Sequence, residues 1–263
     1  MILDKIAAAA KVRIEQDKNN ITFDTMKHLA QAINQNTGFP FEKAITEKGI
    51  HFICEVKKAS PSKGIIAEDF PYTEIARDYE EAGASCISVL TEPDFFKGSD
   101  VYLTEIKQLV SIPVLRKDFI LDPYQIYQAK VIGADCILLI ASLLPEDTIR
   151  EYIKLCDSLG LSALVEAHDE REIASAVLAG ARMIGVNNRN LKTFEVDISN
   201  SERLRKLVPE HILFVAESGI KSCSDIEQLR NAKVNAVLIG ETLMKSPDKK
   251  KMLQELRGGY DKN

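Results

Sequence analysis

The sequence predicts an α/β fold, a closed (β/α)8 or TIM barrel with an N-terminal helical extension, and three observations predict it. Eight short runs rich in Val, Ile and Leu recur at 50–56, 86–90, 113–115, 136–140, 161–165, 183–186, 212–216 and 236–239. Runs this short and this apolar suit parallel strands buried on both faces. Between them lie segments with helical spacing that stop at glycine: Ile75, Ala76, Tyr79 and Ala82 before Gly83, Ile149, Tyr152, Ile153 and Cys156 before Gly160, and Ile173, Ala176 and Val177 before Gly180. Glycine just past a helix is the expected stop. The phrases EAGASCISVL, VIGADCILLI and LAGARMIGV are near-copies, each a helix end, a Gly-Ala turn and a buried strand. Eight such units close a barrel. The rival, an open doubly wound sheet, would carry a GxGxxG after its first strand, and none is present.

Ahead of the first strand, Ile2, Leu3, Ile6, Ala10 and Ile14 share one helical stripe, and Met26, Leu29, Ala30 and Ile33 form another. These helices either cap an open end of the barrel or also shape its mouth. With no linker or low-complexity tract, 1–263 reads as one domain, residues 1–48 packing on the barrel as its extension. At 263 residues and 45% hydrophobic, the chain can bury one large core. A net charge of -5 argues against nucleic acid as a partner. No run reaches the roughly 18 apolar residues of a membrane span, and the N-terminus MILDKIAAAA lacks a signal-peptide layout. The five cysteines show no CxxC or metal spacing, and Cys54, Cys86 and Cys136 sit inside apolar runs as small hydrophobes. A cytoplasmic protein is expected, with no membrane partner, as a monomer or weak homo-oligomer.

A barrel places its chemistry where strands end and loops begin, so polar groups at those points are informative. Strand side chains alternate. If Cys54 and Val56 pack against helices, Glu55 and Lys57 project into the barrel, as a lining ion pair or as chemistry. A buried pair is weak evidence for stability, which favours use. At the third strand Leu115, Lys117 and Phe119 share a face, and an inward lysine is hard to explain as packing. Glu166 closes the fifth strand as a candidate base, a counter-ion for the lysines, or a simple helix N-terminal carboxylate. His168 reads as the start of the next helix rather than as a base. After the sixth strand Asn187 and Arg189 offer a neutral and a cationic donor. The last two strands end in Ala216-Glu217-Ser218-Gly219-Ile220 and Ile239-Gly240-Glu241-Thr242. Their glycines allow close approach, and the following helix N-termini offer N–H groups to an anion, so these loops read as a phosphate site.

The motifs EVKKASPSKG, PVLRKDFI, LVEAH, GVNNRNL, AESGI and LIGE, in that order on six strand ends, closely resemble those of the indole-3-glycerol-phosphate synthase family. The resemblance runs from ILDKI to about Met244. By it, Glu55, Lys57, Lys117, Glu166, Asn187 and Ser218 match catalytic and substrate-site positions. Ser60, Gly219, Gly240 and Glu241 match phosphate-binding segments, with Arg189 beside them. Glu241 departs from the family's usual small residue. That matters little if the contact is a backbone N–H, and weakens phosphate binding if the carboxylate points inward. Phe96, Leu115, Phe119 and Leu191 form either a wall for an anthranilate ring or ordinary core.

The resemblance implies conversion of 1-(2-carboxyphenylamino)-1-deoxyribulose 5-phosphate to indole-3-glycerol phosphate, CO2 and water, in tryptophan biosynthesis. It implies no redox change, hence no cofactor and no metal. Lys117 is then the general acid of ring closure and Glu166 the base in dehydration. Lys57 either holds the ring carboxylate or protonates the departing hydroxyl, while Glu55 and Asn187 orient lysines and sugar hydroxyls. The competing readings are another phosphosugar enzyme, such as a phosphoribosylanthranilate isomerase or a Schiff-base aldolase, and a non-catalytic phosphate-binding barrel subunit. The isomerase normally carries a cysteine base on the first strand, but Cys54 has outward parity.

Overall fold

The computed structural model describes residues 2–190 and 193–258. Two helices, α1 (Ile2–Asn20) and α2 (Phe23–Ala32), and a short α3 (Pro40–Ala44) precede the first strand, β1 (His51–Val56). Then come α4 (Tyr72–Glu81), β2 (Cys86–Leu90), α5 (Asp100–Leu109), β3 (Val114–Lys117), α6 (Pro123–Val131), β4 (Cys136–Ile140) and α7 (Glu146–Leu159). The chain continues through β5 (Ser162–Ala167), α8 (Glu170–Leu178), β6 (Met183–Asn187), α9 (Ser199–Arg205) and β7 (Leu213–Glu217). It finishes with α10 (Cys223–Asn231), β8 (Ala236–Ile239), α11 (Glu241–Lys245) and α12 (Lys249–Arg257). The eight strands are parallel in sequence order, and β8 pairs back onto β1 to close the barrel. A small antiparallel hairpin, Ala59–Ser60 against Gly64–Ile65, interrupts the loop after β1.

Local chemistry fixes the helix ends. Asp122 accepts from Tyr124 N and Asp169 from Glu172 N, each a side-chain cap on the first turn. Gly160 ends α7 in the left-handed region at φ 68°. Ser222 and Asp225 form a reciprocal capping box on α10. That box engages Asp225 N, one of the first-turn donors of α10, together with Ser222 N.

Two apolar cores follow from strand alternation. Outward residues such as Phe52, Cys54 and Val56 pack against the helices. Inward residues, among them Ile53, Leu115, Leu138, Leu164 and Val215, fill the barrel, and Phe41 and Ile45 from the α3 region complete the cluster. Arg182, just before β6, donates to Glu42 on α3 at 2.9 and 3.0 Å, so α3 closes the end where the strands begin. The first predicted stripe is borne out at Ile6, Ala10 and Ile14, which are buried. The second is half right: Met26 and Ala30 are buried, whereas Leu29 is 43% and Ile33 39% exposed, since α2 lies flat on α6 and shows its other side to solvent. All five cysteines are free thiols, four of them buried. Burial pushes the Cys54 thiol up to about 12. No helix among the described residues is long and apolar enough to cross a membrane.

Candidate active site

At the end where the strands finish, a cavity of about 510 Å³ opens, within the range of small-ligand sites. Its floor is the top layer of inward side chains, one step above the apolar filling. Glu55, Lys57, Lys117, Glu166, Asn187 and Glu217 all line it. Alternation put each there: Ile53 is core and Glu55 is site on β1, Leu164 core and Glu166 site on β5, Val215 core and Glu217 site on β7.

Lys117 is the hub. Its Nζ donates to Glu166 Oε2 at 3.2 Å and lies 3.3 Å from Glu217 Oε2. Burial opposes its charge, yet Glu217, Glu166 and Glu55 together hold the ammonium well above the usual lysine range. Glu166 is also buried. Burial works against its charge, but Lys117, His168 and the amide of Asn187, donating to Oε1 at 3.1 Å, hold it below the usual range. Glu217 goes the other way. Burial and repulsion from Glu166 exceed the attraction of Lys117, so it is pushed up to about 7. Its Oε1 has no hydrogen-bond partner among the described residues. Lys57 donates to Glu55, two residues before it at the end of β1.

Two glycines make room for this floor. A Cβ on Gly185 would stand 2.3 Å from Glu217 Oε1, and one on Gly240 would stand 2.4 Å from Glu55 Oε1 and 3.0 Å from Lys57 Nζ. Neither carboxylate could occupy its position beside a larger residue.

Above the floor the cavity divides. On one side Phe96 and Phe119 face each other with ring centroids 6.1 Å apart, and Ile2, Leu3 and Ile6 of α1 add apolar surface to the cavity lining. Leu115 is not part of a ring wall but ordinary core, fully buried in the barrel one layer below Lys117. Leu191 lies outside the described residues. On the other side are Ser60, Arg189, Ser218, Gly219, Gly240 and Glu241. Thr242 Oγ1 donates to Ile220 O at 2.7 Å and ties the two glycine segments together. Ser218 and Gly219 take φ of 67° and 87°, turning the backbone sharply after β7. The Glu241 carboxylate is turned toward cations: Lys245 at 2.7 Å, Arg189 at 3.4 Å and Lys63, from the hairpin, at 3.5 Å.

The model of the indole-3-glycerol phosphate synthase family matches residues 3–256. The chain belongs to this family. An indole-3-glycerol phosphate synthase of Ruminiclostridium cellulolyticum is 62% identical over 98% of this chain and 99% of its own length. One of Endomicrobium trichonymphae is 57% identical over 98% and 100%. Among solved structures, a thiamine phosphate pyrophosphorylase from Pyrococcus furiosus superimposes with a TM-score of 0.59 at 17% identity, over 79% of this chain and 93% of that one. This last likeness concerns the fold alone.

Within the synthase fold, Glu217, Lys63 and Lys245 escaped the sequence reading. Glu217 was visible by the parity that found Glu55 and Lys117, but the Ser-Gly after it drew attention to phosphate instead. His168 directly precedes Asp169, the N-cap of α8, as the sequence reading placed it. Its side chain in fact turns back, Nε2 standing 3.3 Å from Glu166 Oε1 and Nδ1 3.1 Å from Glu172 Oε2. Against the pull of burial, those two carboxylates raise it to about 10, so it is a cation behind Glu166. Lys63 and Lys245 beside Glu241 had no local signal.

Proposed function

We propose that Lys117, Glu166 and their neighbours carry out the indole-3-glycerol phosphate synthase reaction on 1-(2-carboxyphenylamino)-1-deoxyribulose 5-phosphate. The observation that carries this reading is the Lys117 ammonium, held charged between Glu166 and Glu217 on the floor of a cavity with one apolar and one cationic side. The aryl ring lies against Phe96 and Phe119. The phosphate takes Arg189 and the backbone at Gly219 and Gly240, with Ser60 and Ser218 at its edge.

In ring closure the aryl carbon bearing the carboxylate attacks the C2 ketone, and Lys117 gives its proton to the developing oxyanion. A positioned acid contributes ~10²–10⁴-fold. The ring carboxylate then leaves as CO2, its electron pair restoring aromaticity. In dehydration the new hydroxyl departs as water, protonated by a lysine, while Glu166 takes the proton released from the anilino side. Lys57 holds the ring carboxylate or protonates the hydroxyl, while Glu55 keeps its ammonium in place and Asn187 keeps Glu166 in place. A Schiff-base role for Lys117 needs a neutral amine, and three carboxylates oppose that form. The chain works as one domain, in the cytoplasm, without nucleic acid, as a monomer or weak homo-oligomer.

The test is to feed the anilino-ribulose phosphate and follow indole fluorescence. Lys117→Ala is expected to lose about 10²–10⁴-fold in kcat while inhibition by inorganic phosphate stays nearly unchanged. A variant with more than about a tenth of the parent rate removes Lys117 from the acid role. Borohydride trapping of substrate on a lysine would instead support an aldolase.

A further inference from the structure

Among the ties that hold the N-terminal helix to the barrel, which include Lys18 to Asp122 at 2.8 Å, one reaches the segments that carry Phe96 and Phe119. Arg13, on α1, donates from Nη2 to Asp118 Oδ1 at 2.7 Å and from Nη1 to Glu92 Oε1 at 3.5 Å. Both carboxylates are buried, with side chains 1% and 0% exposed. Each of them shapes a segment of the wall. Glu92 accepts from the backbone N–H groups of Asp94, Phe95 and Phe96 at 3.0, 2.8 and 2.9 Å, and so folds the loop that presents Phe96. Asp118 stands between Lys117 and Phe119 in the chain. It accepts from Phe119 N at 2.8 Å and Thr91 Oγ1 at 2.8 Å, and from the buried Arg116 at 3.3 Å.

From this arrangement we propose that Arg13 is a positioning residue that sets the aromatic half of the substrate site. One guanidinium spans α1, the loop carrying Phe96 and the strand end carrying Lys117 and Phe119. The same helix brings Ile2, Leu3 and Ile6 to the cavity. The planar fork of arginine suits a two-carboxylate bridge, which a lysine point charge does not reproduce. Without it, Asp118 keeps Arg116 at 3.3 Å, whereas Glu92 loses a guanidinium 3.5 Å away that burial makes hard to replace. Relaxation of either carboxylate moves a ring, while the phosphate side, built on the ends of β6, β7 and β8 and the hairpin after β1, is left alone.

The inference rests on the proposed reaction, and the experiment separates the two. Arg13→Ala and Arg13→Lys are compared with the parent for KM and kcat on the anilino-ribulose phosphate. Two probes of the separate halves, anthranilate and inorganic phosphate, are titrated as inhibitors. Arg13→Ala is expected to raise KM and the anthranilate inhibition constant together by about tenfold, with Arg13→Lys between it and the parent. The phosphate constant stays within about twofold. An unchanged KM, or equal weakening of both probes, overturns the inference. If Arg13→Ala does not fold, Glu92→Gln removes the charge partner and keeps an oxygen for the loop amides. It must then shift anthranilate alone, or the inference falls. A parent enzyme that makes no indole refutes the reaction, whereas a silent Arg13→Ala refutes only the positioning role.

Discussion

Of the carboxylates around Lys117, Glu217 titrates within the neutral range, at about 7. Above that pH it is an anion paired with Lys117, and below it the lysine answers chiefly to Glu166. Losing one anion makes an ammonium a better acid. kcat/KM is therefore expected to fall as pH rises through about 7, and Glu217→Gln to remain on the low-pH plateau. A pH–rate profile of the variant that still declines with the same midpoint would refute this. Burial resists the charge of Glu241 as well, but Lys245, Lys63 and Arg189 keep it ionised, and in the proposed function Arg189 also serves the phosphate. Glu241→Gln removes the competing anion and is expected to tighten inhibition by inorganic phosphate about fivefold, the order of one partly exposed charge contact. Weaker phosphate inhibition would mean that the carboxylate instead organises the cations.

At the scale of single elements, alternation explains both what the sequence disclosed and what it withheld. Which residues face inward is a matter of parity, so Glu55, Lys117 and Glu166 were readable from runs of a few residues. Height along the barrel axis is not encoded in parity. Leu115 and Lys117 share a face, yet Leu115 belongs to the packed layer and Lys117 to the cavity floor. Pairings across long stretches of chain were equally hidden, since nothing near Arg13 announces Glu92 or Asp118. The α10 cap was legible in principle, because Ser222-x-x-Asp225 is a local pattern. Leu115→Ala tests the division between layers. It is expected to cost about 2–5 kcal/mol of stability in urea unfolding, with KM within about twofold of the parent. A large rise in KM without loss of stability would place Leu115 in the wall after all.

For the molecule as a whole, burial of titratable groups makes stability depend on pH in a way the sequence alone did not suggest. His168 is raised from 6.5 to about 10 by Glu166 and Glu172. A group whose folded value lies above its unfolded one stabilises fully below the unfolded value, and that contribution disappears as pH climbs through the folded value. The window is pH 6.5 to about 10. Four buried thiols add to the loss only above their ordinary value of 9.0, where the unfolded chain releases protons that the core retains. Between pH 7 and 9 the decline in stability should therefore belong mainly to His168, with a slope approaching about 1.4 kcal/mol per pH unit for one proton. His168→Gln is expected to be less stable than the parent at pH 6 and nearly level from pH 7 to 9, while both proteins weaken together above 9. Urea unfolding at a series of pH values reads this directly. Parallel curves for parent and variant between pH 7 and 9 would show that the imidazolium behind Glu166 is not what couples the barrel's stability to protons.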